Sequence, residues 1–127
     1  MAELNLKLGT DICSVNRIRD SYERFGDKLL KRILTEAEEK HVTSARPHMF
    51  QRLAGRFAAK EAAVKALGTG WTGVGWKEVE IVRERSGKPI LVLHGRALEV
   101  AKKLELTKFE VSVSHEREYA TATVVAY

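Results

Sequence analysis

Cysteine is almost absent from this chain. Cys13 stands alone, so no internal disulfide can form, and the thiol reads as a small buried apolar group. Proline is nearly as scarce, with two residues. No apolar run approaches the roughly 20 residues that a membrane-spanning helix needs, so no membrane partner is expected. The opening "MAELNLKLGTD" has neither a basic n-region nor an apolar h-region, so no secretory signal is expected. Repeats, low-complexity tracts and linkers are lacking as well. These absences point to a cytoplasmic protein whose residues 1–127 form a single domain. A domain this short has little depth in which to bury a ligand, which favours a site shared between subunits.

What the chain does carry is an ordinary apolar fraction of 44% and a net charge of +5. The charge favours acidic partners: nucleic acid, a phosphorylated cofactor or an acidic protein. A nucleic-acid partner is disfavoured, because the basic residues are scattered among acidic neighbours and no strand interleaves aromatic with basic residues. A hydrolytic triad within "SVSHE" is disfavoured too. Ser112 and Ser114 would share one face of a strand and His115 would lie on the other.

Periodicity predicts an α+β fold, an antiparallel sheet packed against a long helix and shorter helices. "ELNLKLGTDI" alternates with Leu4, Leu6 and Leu8 on one side and reads as a strand ending at Gly9-Thr10-Asp11. Val15, Ile18, Tyr22 and Phe25 are spaced for a helix from about Ser14 to Leu30, with Ser14 or Asp11 as its cap. Thr35 and Glu38 form a capping box that opens another helix. That helix should end near Pro47, which pushes the preceding residue out of helical geometry. A long helix follows from about His48 to Leu67 and stops at Gly68. "KEVEIVRE" and "PILVL" make a hairpin around "SGK". "RALEVAKKLE" reads as an amphipathic helix, and "KFEVSVSHE" and "EYATATVVAY" as two more strands.

One residue conflicts with the long helix. Phe50, Leu53, Phe57 and Val64 form an apolar stripe, and Glu61 lies on it, one turn past Phe57. A buried carboxylate needs neutralising by a cation, a proton or a metal ion. Lys65, at i+4, is the simple ion-pair partner. Arg52, Arg56 and Lys60 place more positive charge on a neighbouring face, a layout that could hold a metal ion and a phosphate together. A second carboxylate is needed for an Mg²⁺ site. Asp11 is available at a strand end after a glycine, where backbone can approach a ligand closely.

Taken together, "GTD" (Gly9 to Asp11) and "GRFAAKEAAVK" (Gly55 to Lys65) resemble the 4′-phosphopantetheinyl transferase superfamily. Its pattern is Gly-x-Asp, then an aromatic-x-x-Lys-Glu-x-x-x-Lys run. "RILTEAE", "ALGTG", "SGKP" and "VSVSHEREYATATVVA" extend the likeness to the short single-domain subgroup over nearly the whole chain. The motif aromatic is Phe57 where other branches have tryptophan.

The resemblance implies transfer of the 4′-phosphopantetheine arm of coenzyme A to a serine of an apo acyl carrier protein, serving fatty acid biosynthesis. A polyketide or peptidyl carrier is the alternative acceptor. It further implies Mg²⁺, with Mn²⁺ as a substitute, and a homotrimer with active sites between subunits. Asp11 and Glu61 match the metal-binding acids, and Lys65 the lysine that contacts the pyrophosphate; these three are the expected catalytic residues. Arg56 and Lys60 match phosphate contacts, His115 a contact to the 3′-phosphate, and Gly87 and Pro89 a turn near the adenine. Arg17, Arg24 and Lys28 are expected to meet the acidic carrier protein, while Ser21 is short for such a contact. Trp71 and Trp76 are expected to pack in the core or an interface rather than to line the coenzyme pocket.

Overall fold

A computed structural model describes residues 3–127. The element order is β1 (Lys7–Ser14), α1 (Val15–Phe25), α2 (Asp27–Ile33), α3 (Glu36–Thr43), α4 (Met49–Leu67), β2 (Val79–Arg83), β3 (Pro89–Leu93), α5 (Gly95–Lys103), β4 (Phe109–His115) and β5 (Tyr119–Ala126). Short 3-10 turns precede α4 and β2. Strands β1, β5 and β4 form one antiparallel sheet in that order, and β2 and β3 form a separate hairpin. The α+β class is as the sequence predicts, with the antiparallel pairing divided between two sheets.

Helix α4 is the centre of the molecule. Its alanines 54, 58, 59, 62 and 63, with Leu53 and Val64, are buried, so this helix is buried on most of its circumference. Strand β1 approaches this helix closely at Gly9. A Cβ built there would fall 1.8 Å from the carbonyl oxygen of Ala62, so only glycine lets strand and helix meet at this distance. Residues alternating with Gly9 share its inward face, which holds Asp11 and Cys13. Large side chains are therefore displaced to the outer face, where Leu8 and Ile12 are 60% and 64% exposed.

The predicted helix from Ser14 to Leu30 is two helices. Gly26, at φ +63°, breaks it, and its N–H donates to the Tyr22 carbonyl at the end of α1. Ser14 caps α1 by accepting from the Arg17 N–H, which leaves Asp11 free of that role. The capping box at Thr35 and Glu38 forms as expected. Gly68, in the left-handed region at φ +78°, ends α4.

Candidate active site

The contact at Gly9 sets up the first cluster. Two residues on, Asp11 faces α4 beside Lys65 and Glu61. It lies within β1, which runs on to Ser14 instead of ending at Asp11 as the sequence suggests, because pairing with β5 continues to Tyr119. The Lys65 Nζ donates to the Asp11 Oδ1 at 3.1 Å and to the Thr10 carbonyl at 3.0 Å. Lys65 thus pairs with Asp11, in place of the Glu61 ion pair that helix spacing suggests. Glu61 accepts instead from the Trp71 indole, Nε1 to Oε1, at 3.1 Å. Asp11 and Glu61 line one cavity of about 320 Å³ between β1, α1, α2 and α4, together with Cys13, Arg17, Ser21 and Phe57. Its lining is apolar at Ile18, Leu29 and Ile33. Burial, with Asp11 and Glu61 nearby, raises the Cys13 thiol to a pKa of about 11, so it stays protonated and inert at neutral pH.

A second cavity, of about 120 Å³, lies on the other side of α4, where Arg52 and Arg56 meet Arg83, Gly87, Pro89 and His115. His115 reaches it because β4 turns alternate side chains toward α4. Its neighbours Ser112 and Ser114 face the opposite way, as strand alternation requires. Three guanidiniums around a small cavity suit a phosphate group. Arg83 braces the turn by donating from Nε to the Gly87 carbonyl at 3.1 Å, where Gly87 holds φ +91°. His41 supports both neighbouring arginines. Its ring nitrogen Nε2 lies 3.0 Å from the Arg83 Nη1, and its carbonyl accepts from Arg52 at 2.9 Å. Burial, and then the charges of Arg56, Arg52 and Arg83, pull the His41 pKa down to about 4. At neutral pH the imidazole is therefore uncharged and its Nε2 accepts from Arg83.

Lys60, expected to contact phosphate, is turned inward. Its side chain is fully buried, and Nζ donates to the Glu38 Oε1 at 2.8 Å and to the Trp76 carbonyl at 2.9 Å. Burial lowers its pKa, and Glu38 opposes that shift. Glu38 also accepts from the Thr35 and Ile81 N–H groups, both at 2.9 Å, so one buried carboxylate ties α3, α4 and β2 together. Its Oε2 stands 3.9 Å from the Arg56 Nε, which has no hydrogen bond of its own. Lys60 therefore belongs to the interior and Arg56 to the wall of the second cavity.

Glu38, His41, Arg83 and the link from Trp71 to Glu61 were not legible as site features. Glu38 could be read only as a helix cap, because its cation lies 22 residues away. Arg17 lines the first cavity, while Arg24 rests over the Phe25 ring with its guanidinium carbon 5.2 Å from the centroid. Lys28 is exposed on α2, past the break at Gly26.

A sequence model of the 4′-phosphopantetheinyl transferase superfamily matches residues 7–124, and the chain belongs to that family. Within it, the likeness is to holo-[acyl-carrier-protein] synthases. The synthase of Gloeobacter violaceus is 48% identical over 118 residues, covering 93% of this chain and 89% of that one. The synthase of Edwardsiella ictaluri is 47% identical, covering 95% and 96%. Among solved structures, the synthase of Neisseria meningitidis superposes with a TM-score of 0.86 at 36% identity, over 95% of this chain and 97% of that one. The Helicobacter pylori synthase, solved in complex with coenzyme A, gives 0.83 at 29% identity, over 94% and 99%.

Proposed function

We propose that the cavity shared by Asp11 and Glu61 is where this chain performs the holo-[acyl-carrier-protein] synthase reaction. The chain transfers 4′-phosphopantetheine from coenzyme A to a serine of an apo acyl carrier protein, and adenosine 3′,5′-bisphosphate leaves. The observation that supports this reading is the Gly9 contact, which brings the two acids of the matched motifs to one cavity, with Lys65 hydrogen-bonded to Asp11. Residues 1–127 act as one transferase domain, and the reaction belongs to cytoplasmic fatty acid biosynthesis.

The donor set fits Mg²⁺ or Mn²⁺. Among the described residues no three His, Cys, Asp or Glu side chains converge. Two carboxylates beside an open cavity suit an ion that keeps water and substrate oxygens among its ligands. Bound between Asp11 and Glu61, the ion supplies neutralising charge to the coenzyme A pyrophosphate. Lys65 is half-exposed and can turn from Asp11 to the same pyrophosphate. Arg52, Arg56 and His115 hold the 3′-phosphate in the second cavity, and Gly87 and Pro89 shape the turn beside the adenine. Glu61, or water that the bound ion would order, takes the proton of the attacking carrier serine.

Arg17, on the wall of the first cavity, meets the acidic carrier protein, with Arg24 and Lys28 farther along the same surface. The active assembly is a homotrimer with sites between subunits. Two features support it. The two cavities lie on different faces of α4, and the outer face of β1 leaves Leu8 and Ile12 exposed, with Leu6 exposed just before the strand.

Intact-protein mass spectrometry of an apo acyl carrier protein incubated with this chain, coenzyme A and Mg²⁺ tests the proposal. The expected result is a gain of one phosphopantetheine that disappears with a chelator and with Glu61→Gln, while the Glu61→Gln assembly persists. Gain only on a polyketide or peptidyl carrier would change the partner. Gain undiminished in Glu61→Gln would remove that residue from both of its roles.

A further inference from the structure

The loop between α4 and the first hairpin has no role in the account above, yet it makes one direct contact with the reacting centre. Trp71 donates from its indole to the Glu61 Oε1 at 3.1 Å. Glu61 has no cation partner among the salt bridges of the described residues. Its carboxylate is thus held by a neutral donor and keeps its negative charge free for other use.

The donor itself is braced. The Trp71 and Trp76 rings stack with centroids 3.7 Å apart at 24°, and Trp76 stacks on Phe57 at 5.2 Å and 28°. Phe57 is one turn before Glu61 on α4, so the stack stands on the helix that carries the carboxylate. The Trp76 backbone is fixed in turn, because its carbonyl accepts from the buried Lys60 Nζ at 2.9 Å, and Lys60 is held by Glu38. Hydrogen bonds and ring stacking therefore run from the α3 cap to the Glu61 carboxylate. The loop reaches this arrangement through left-handed glycines at 68, 70 and 73 on either side of Trp71.

We propose that Trp71 is a positioning residue for the transfer reaction. By occupying Oε1 it fixes the rotation of the Glu61 carboxylate and presents Oε2 to the cavity shared with Asp11. A carboxylate with one oxygen committed loses its rotational freedom before substrate arrives, which is the pre-organisation that metal binding and proton transfer both need. This rests on the reading of Glu61 as a working residue of the transfer site.

Trp71→Phe keeps the stacking ring and removes only the donor. It is expected to lower kcat by about tenfold to a hundredfold, the loss typical of one hydrogen bond to a charged group. The KM values for coenzyme A and carrier protein should stay within about twofold, because Trp71 lines neither cavity. A purely structural role would instead move the melting temperature with little change in kcat.

A second readout does not depend on that variant folding. The chain has two tryptophans, so a uniformly ¹⁵N-labelled sample gives two indole N–H signals, assignable with Trp71→Phe or Trp76→Phe. Glu61→Ala should shift the Trp71 indole upfield and leave Trp76 nearly in place. Mg²⁺ alone should move the Trp71 signal in the wild type and not in Glu61→Ala. An unmoved Trp71 signal in Glu61→Ala, or wild-type kcat in Trp71→Phe, overturns the proposal. If Mg²⁺ moves neither signal while Trp71→Phe still loses kcat and keeps KM, the positioning role stands and the metal reading fails.

Discussion

Gly9→Ala should damage the transfer reaction more than it damages the fold. The added Cβ would lie 1.8 Å from the Ala62 carbonyl oxygen, and moving it out to 3.0 Å requires a shift of about 1.2 Å. The obstructing atoms are main-chain atoms of Ala62 and Ala66, so no side chain can swing aside. Strand β1 and helix α4 must separate, carrying Asp11 on one and Glu61 on the other. Overpacking of this kind costs about 1–3 kcal/mol. At about 4 °C per kcal/mol for a chain of this size, the melting temperature should fall by about 4–12 °C. A misplacement on the order of 1 Å between reacting groups costs about a hundredfold in rate. The comparison is therefore kcat/KM from carrier-protein mass shifts against a thermal melt, both at a fixed protein concentration. A Gly9→Ala protein with activity within threefold of wild type would refute the claim that this contact sets the distance between the two acids.

Glu38→Ala leaves the buried Lys60 ammonium without its counter-ion and the Ile81 N–H without an acceptor. It should destabilise the protein by about 3–5 kcal/mol, with the double replacement Glu38→Leu, Lys60→Met recovering most of that loss; denaturant titration checks both, and a single-variant loss below about 1 kcal/mol would contradict the ion pair. His41 should steepen acid denaturation. Its folded pKa of about 4 lies below the unfolded value of 6.5. Its contribution is thus present above pH 6.5 and lost as pH falls toward 4, because only the unfolded chain takes up the proton in that window. His41→Gln should flatten the melting-temperature profile between those two pH values, and an unchanged slope would show that the imidazole is not held neutral. Arg17→Glu should raise KM for the carrier protein, increasingly at low salt, and spare KM for coenzyme A; equal effects on both would remove Arg17 from the carrier surface.

Local chemistry was legible in the sequence wherever neighbours along the chain decide the outcome. The capping box at Thr35, the stop at Gly68, the "SGK" hairpin and the alternation that separates Ser112 and Ser114 from His115 all depend on residues within a few positions of each other. The break at Gly26 was missed because the apolar spacing from Val15 to Phe25 continues smoothly toward Leu29 and Leu30. Periodicity records apolar spacing and not the break in it: α1 buries Val15 and Ile18, α2 buries Leu30 and Ile33, and Phe25 at the junction is exposed. The strand starts only at Lys7, past Leu4 and Leu6, and the outward face of Leu8 could not be read either, since alternation identifies the apolar side of a strand but not what covers it. The inward side turned out to be the one with the smaller residues, because Gly9 has to meet backbone.

The motif charges show the same limit more sharply. Lys60, Glu61 and Lys65 lie within six positions of one helix, and sequence spacing pairs Lys65 with Glu61 and places Lys60 beside Arg52 and Arg56 on a neighbouring face. Position 65 is one turn from 61 and follows it toward the cavity. Position 60 is rotated by about 100° and points inward. An inward lysine is tolerated only if an anion is waiting, and that anion is Glu38, whose sequence role as a helix cap gave no sign of a second duty. The two lysines are thereby divided between tasks. Lys65 shares charge with Asp11 at the cavity, while Lys60 spends its charge holding the Trp76 carbonyl and, through the stacked rings, the indole that fixes Glu61. The Lys-Glu pair of the motif is then one device, in which the buried lysine supports the geometry of the carboxylate that follows it.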